Sequence, residues 1–254
     1  MAGDGAPAMS PATLFIGQSH VGAIRLAAKA RREADPDRPR TRVIHTLEPH
    51  YAPELAGEGD QAVFTPALGD AIRDQIDRHA PLVASVSGGN VHNSFALIRH
   101  PRPFDFMLSE EDGPSLDPDA EPLSEALVRA ALADALKRDY VRLAEIRRIA
   151  GAFVQFESPP PLADNGLIAD QADAYFKDRA IAHLGVAPPR LRYKMWRLHS
   201  RIVADRCAAL GVQFLPVPRD CRDDSGFLLP HLAGDATHGN AAYGEAMIRA
   251  LEAL

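Results

Sequence analysis

Short apolar runs alternate with amphipathic stretches over nearly the whole of this 254-residue chain, and no other feature restricts its fold as strongly. The runs at 13–16, 42–47, 82–86, 153–156 and 212–215 have the length and the Val, Ile, Leu and Phe content of buried strands. Between them, apolar residues recur at helical spacing over 21–32, at Leu68, Ile72 and Ile76, over 124–149, around 170–183 and over 191–210. A closing helix starts from Asn240 as N-cap and carries Met247, Ile248 and Leu251. Strands that alternate with helices run parallel, because parallel strands need crossover connections, and those crossovers cover both faces of the sheet. The expectation is one α/β domain over 1–254, with a helical insertion at about 158–210 between the fourth and fifth strands.

Three local expectations accompany this frame. The stretch 124–149 reads as a single long amphipathic helix stopped by Gly151. The segment 100–122, rich in Pro, Asp and Glu, reads as a long loop wrapping the surface. Arg190, Arg192, Lys194, Arg197 and Arg201 crowd one helical stretch with Tyr193 and Trp196, and predict a solvated basic face.

Net charge excludes one class of partner. At a formal charge of -6 the chain has no broad cationic surface with which to neutralise phosphates, so nucleic acid is not expected. Cys207 and Cys221 belong to no CxxC or Cys/His metal pattern and read as ordinary thiols. The first residues lack the cationic and apolar regions of a signal peptide, and no apolar run reaches the 18 or so residues of a membrane span, so a cytoplasmic location is expected.

Three short blocks carry the chemistry. Gly17-Gln18-Ser19-His20 follows the first strand, Gly88-Gly89-Asn90 follows the third, and Asp235-Ala236-Thr237-His238 lies just ahead of the closing helix. In parallel α/β sheets, sites form at the carboxyl ends of strands. A serine hydroxyl becomes a nucleophile when a neighbouring base takes its proton and a third group orients that base. Ser19, His238 and Asp235 fit these roles, with Asp235 and His238 three apart. Asn90, ending a Gly-Gly turn, can offer its amide to a developing oxyanion.

In their order and content these blocks resemble the SGNH (GDSL-like) hydrolase superfamily, and the resemblance spans residues 17 to 238. It implies a flavodoxin-like, three-layer α/β/α sandwich with a five-stranded parallel sheet, and ester chemistry without a cofactor or metal. It also implies that Ser19 is the nucleophile with its own N–H in the oxyanion hole, Asn90 a second oxyanion donor, His238 the base and Asp235 the group that orients it. The expected substrate is a small acyl, most simply acetyl, ester, or an acylated carbohydrate. The sequence departs from the family pattern at Gln18 and Val91, where acidic residues are common, and the glycine completing the oxyanion hole stays open among Gly57, Gly59 and Gly69. His92 and Asn93, next to the oxyanion Asn90, are expected to bind substrate. An acyltransferase acting on a sugar, and a non-catalytic protein that binds a carbohydrate or small molecule, remain alternatives.

Overall fold

The computed structural model describes residues 11–109, 115–172 and 182–254. Its strands are β1 (Thr13–Gly17), β2 (Thr41–His45), β3 (Leu55–Ala56), β4 (Val63–Phe64), β5 (Leu82–Ser85), β6 (Phe104–Phe106), β7 (Glu121–Leu123), β8 (Val154–Phe156) and β9 (Gln213–Leu215). Its helices are α1 (Val21–Ala34), α2 (Pro66–His79), α3 (Val91–Ala96), α4 (Glu125–Ala135), α5 (Lys137–Ala150), α6 (Asn165–Gln171), α7 (Ala182–Leu184), α8 (Pro189–Ala209) and α9 (Ala241–Glu252).

Five strands form one parallel sheet in the order β2-β1-β5-β8-β9. Alternation along β1 builds the layers: Phe15 faces one hydrophobic core with Val21, Ile24 and Ala27 of α1 and Met247, Ile248 and Leu251 of α9. Leu14 and Ile16 face the opposite core with Leu68 and Ile72 of α2, Leu143 and Ile146 of α5, and Leu198 and Ile202 of α8. The fold is thus a three-layer α/β/α sandwich around a five-stranded parallel sheet. From β1 the chain passes to β2 on one side, then returns to β5 on the other. The crevice outside the carboxyl ends of β1 and β5 is therefore the topological switch point, where ligands bind in such sheets. None of the described helices is long and apolar enough to cross a membrane.

The single helix expected over 124–149 is two. Ser124 caps α4 by accepting from the Leu127 N–H, and the helix ends at Leu136, where φ is -84° and ψ is -3° before α5 begins. The buried face of α4 is formed by Val128 and Leu132, while Leu127 is 57% exposed, so the apolar stripe is offset from the expected one. At the bend Leu136 is fully buried. The helix expected around 170–183 has its residues 173–181 outside the described residues.

The surface loop at 100–122 is instead anchored. β6 pairs in parallel with β7, and Asp105 and Phe106 of β6 are 1% and 0% exposed. The anchor is Lys194, whose ammonium donates to both Asp105 carboxylate oxygens at 2.9 and 2.8 Å and to the Ser115 carbonyl at 3.0 Å. The basic face of α8 is corrected for the same reason. Lys194 and Arg192 point inward and are buried, Arg192 donating to the carbonyls of Leu162 and Ala163 at 2.7 and 3.1 Å. A buried charge needs polar partners, and Lys194 is paired with Asp105 while Arg192 is hydrogen-bonded to carbonyls. Lys194→Met leaves the Asp105 carboxylate buried without its counter-charge, held only by the Phe106 and Asp117 N–H groups, so it should cost about 3 kcal/mol. Thermal melts followed by circular dichroism should show the loss, and adding Asp105→Asn should recover part of it.

Candidate active site

The polypeptide leaves β1 at Gly17 and turns into α1 at Val21, which sets Ser19 on the exposed elbow between them. Among the described residues the Ser19 N–H makes no hydrogen bond, while its carbonyl accepts from the Gly22 N–H at 3.0 Å. The partner of the hydroxyl comes from the other end of the chain: Ser19 Oγ lies 2.8 Å from His238 Nε2.

His238 belongs to a closed loop ahead of α9. The Gly234 N–H donates to the His238 carbonyl at 2.7 Å, and Asn240 ties the loop to the helix from both sides. The Asn240 side chain accepts from the Ala242 and Tyr243 N–H groups at 2.9 and 3.2 Å and donates to the carbonyls of His231 and Ala233 at 2.8 and 3.2 Å. Within the loop, Asp235 Oδ1 accepts the backbone N–H groups of Thr237 and His238, both at 2.8 Å. Its carboxylate also meets His238 Nδ1 at 2.8 and 3.0 Å. Partial burial alone would raise the Asp235 carboxyl, but these hydrogen bonds outweigh it and hold the group down to about 2. An ionised Asp235 assigns the proton to His238 Nδ1 and leaves Nε2 to accept from Ser19, the tautomer a general base needs.

Asn90 reaches the same point from the turn after β5. Its Nδ2 stands 3.1 Å from His238 Nε2, and its Oδ1 accepts from Asn93 Nδ2 at 3.0 Å, which assigns the amide's donor end to the crevice. Both glycines of this turn are there for close approaches. Gly88 has φ +76°, and a Cβ on it would stand 3.2 Å from the Asp139 carboxyl carbon. A Cβ on Gly89 would stand 2.1 Å from the His20 ring.

The structure therefore brings Ser19, Asn90, Asp235 and His238 together. His92 and Asn93, expected to contact substrate, are 1% and 6% exposed and sit behind the crevice. Asn93 fixes Asn90, and the His92 ring packs 5.0 Å from that of His199 on α8. The reason is local: α3 starts at Val91, so positions 92 and 93 turn toward the layer beneath it.

Of the three glycines considered for the oxyanion hole, Gly69 lies inside α2 with its N–H committed to the Thr65 carbonyl at 2.9 Å. Gly57 and Gly59 line a cleft of about 290 Å³ against Lys137, Arg138 and Val141, whose walls do not include Ser19, Asn90 or His238.

Three buried histidines surround the site and were not assigned this environment from sequence. His20 has its ring centroid 4.7 Å from that of His238, and burial, helped by His238, pushes it down to about 3. His199 Nε2 lies 3.0 Å from the Gly88 carbonyl, and burial pushes it down to about 4. Burial also holds His92 well below the ordinary range. Burial therefore keeps all three rings neutral at neutral pH. Burial raises the thiols of Cys207 and Cys221 to about 12 and about 11, so neither is a ready nucleophile.

Gln18 and Asp139 are the other unexpected pair. Gln18 Nε2 donates to Asp139 Oδ1 at 3.1 Å, and Gln18 Oε1 accepts the Gly88 N–H at 3.0 Å. The sequence signal was available: Asp139, Arg142 and Glu145 recur at helical spacing with the buried Leu136, Leu143 and Ile146.

No protein-family model matches the chain, and no curated protein matches it. Among solved structures, it is similar to the carbohydrate acetylesterase Est24 from Sinorhizobium meliloti, at 14% identity over 96% of this chain and 97% of that one, with a TM-score of 0.43. It is similar also to a GDSL-like lipase from Bacteroides thetaiotaomicron, at 12% identity over 96% and 87% of the two chains and a TM-score of 0.42. A lipopolysaccharide acetyltransferase periplasmic domain from Salmonella ser. Paratyphi A is 12% identical over 95% and 82%, with a TM-score of 0.46. Each score lies below 0.5, and the functional assignment rests instead on the site geometry.

Proposed function

We propose that this chain is a serine hydrolase of the SGNH type that cleaves a small acyl ester, with an acylated carbohydrate as a natural substrate class. The observation that carries the reading is the continuous chain of hydrogen-bond contacts from Asp235 through His238 to the exposed Ser19, with the Asn90 amide at its end. The three sequence blocks that supply these residues are those of the SGNH resemblance.

In this reading His238 Nε2 takes the Ser19 proton as Oγ attacks the ester carbonyl, forming the Oγ–carbon bond and a tetrahedral oxyanion. Asn90 Nδ2 and the Ser19 N–H donate to that oxyanion. His238 then protonates the leaving alcohol as its bond to carbon breaks. Water, deprotonated by the same imidazole, attacks the acyl carbon; the bond from carbon to Oγ breaks, the imidazolium returns its proton to Ser19 Oγ, and the acid is released. Asp235 stays ionised throughout and stabilises the imidazolium. We read 158–210 as a helical insertion within one domain, whose α8 braces the Asn90 turn through His199.

The test is covalent. A fluorophosphonate probe should add its phosphonyl group to the wild-type protein, peptide mapping should place the adduct on Ser19, and the folded Ser19→Ala protein should not react. Product analysis with p-nitrophenyl acetate, with and without an added sugar alcohol, separates hydrolysis from transfer. A folded wild type that neither labels nor turns over ester would sink the reading and leave a binding protein in its place.

A further inference from the structure

We propose that Gln18 and Asp139 are positioning residues that lock the two oxyanion-donor turns together through a buried relay anchored on α5. The inference rests on the hydrolase reading above and concerns how that site is held.

Gln18 immediately precedes Ser19, whose N–H is one proposed donor, and it accepts the N–H of Gly88, two residues before Asn90, which is the other. One side chain thus spans the turn after β1 and the turn after β5. Only a group with an acceptor at one end and a donor at the other can do this, because Oε1 faces an N–H and Nε2 faces the Asp139 carboxylate. Asp139 is itself fixed. It is 7% exposed, Arg142 donates to its Oδ1 at 2.7 Å, and its side chain packs directly on Gly88, the position where a Cβ would crowd it. Arg142 in turn donates through Nε to Glu54 Oε1 at 3.0 Å and bonds the same oxygen through its second nitrogen. Glu54 is 5% exposed and lies on the loop after β2. The relay therefore joins all three segments that follow the first three sheet strands, and α5 is its common anchor.

The arrangement explains why position 18 is an amide here. A carboxylate at 18 could accept from Gly88 but would set two negative oxygens against each other at Asp139. Identity at 18 and at 139 is thereby coupled: an acid at one calls for an amide at the other. Gln18→Glu with Asp139→Asn exchanges the donor and acceptor across the contact and keeps the charge of the relay; Arg142 Nη1, which shares Asp139 Oδ1 with Gln18, loses that acceptor and keeps its bonds to Glu54.

The experiment measures kcat and KM for p-nitrophenyl acetate in wild type, Ser19→Ala, Gln18→Glu, Gln18→Met and Gln18→Glu/Asp139→Asn, with circular dichroism and fluorophosphonate labelling rates on each. Gln18→Glu should lower kcat by about 10- to 100-fold with KM nearly unchanged, the size expected when reacting groups are displaced by a fraction of an ångström to 1 Å. Gln18→Met, which removes both hydrogen bonds without adding charge, should lower it similarly and keeps the test open if Gln18→Glu does not fold. Adding Asp139→Asn to Gln18→Glu removes the clash of carboxylates and should recover part of the lost kcat, the signature of a coupled pair. Wild-type kcat in a folded Gln18→Met or Gln18→Glu protein overturns the relay, as does a double variant no better than the single one. Absence of serine-dependent turnover in wild type itself overturns the hydrolase reading and the relay with it.

Discussion

Ester hydrolysis should fall by about 10⁶-fold in kcat when Ser19 or His238 is replaced with Ala, and by only about 10⁴-fold for Asp235→Asn. The ranking follows from what each atom does. In the proposed mechanism Ser19 Oγ forms the bond to carbon and His238 Nε2, 2.8 Å away, takes its proton, so neither has a substitute. Asp235 acts through His238. Its loss leaves the base in place but frees the ring to adopt the tautomer that carries the proton on Nε2. The loop geometry adds to this, because the same carboxylate oxygen that meets Nδ1 accepts two backbone N–H groups at 2.8 Å. In Asp235→Asn the amide can keep one oxygen toward the backbone and present its NH₂ to Nδ1, which selects the unproductive tautomer. Because Ser19 and His238 work as a unit, Ser19→Ala/His238→Ala should be no slower than either single variant. A steady-state assay sensitive enough to see the residual rate decides it, and additive losses would mean that the two residues act separately.

Acid should unfold this protein well above the pH at which the Asp235 carboxylate is protonated. His20 and His199 are pushed by burial from 6.5 to about 3 and about 4. Above pH 6.5 folded and unfolded chains are both neutral at these positions, and stability is unaffected. As pH falls below 6.5, the unfolded chain takes up protons that the native core refuses, so stability is lost progressively until the folded values are reached. By pH 4.5 the two groups together should have cost about 5 kcal/mol at 1.36 kcal/mol per unit each. His92, shifted in the same direction, adds to the loss. Asp235 shifts stability in the same direction but in a lower window, since its lowered value keeps its contribution intact until pH drops below about 4 and removes it only toward 2. Melting temperatures between pH 7 and 4.5 should decline steeply, and His199→Asn, which cannot be protonated, should flatten the slope. A melting temperature independent of pH over this window would contradict the buried, neutral environment of the three rings.

Much of this was legible before any coordinates. The five strands, the parallel sheet and the layer order follow from the alternation of short apolar runs with helical stretches, since period and length are local properties of the sequence. The blocks holding Ser19, Asn90, Asp235 and His238 were also legible, because turns at strand ends have local signatures. What stayed hidden was decided by partners distant in sequence. Lys194 and Arg192 look solvated until Asp105 and the 162–163 carbonyls arrive from other segments. Leu136 interrupts a periodic pattern that shows no break of its own. His92 and Asn93 adjoin the site in sequence, but the direction of α3 turns them inward. Gln18 read as a departure from a pattern, and its role appears only with Asp139, 121 residues away.

The proposed nucleophile, Ser19, and its base, His238, are 219 residues apart, joined only when the turn before α9 comes to rest over the elbow after β1. On a ribosome adding roughly 5–20 residues per second, His238 is made about 10–40 s after Ser19. A nascent chain displays its serine hydroxyl for all of that interval with nothing to activate it. Reactivity thus waits for the turn before α9 to be made and docked, and the time at which a stalled chain first reacts with a serine probe would mark the closing of the molecule.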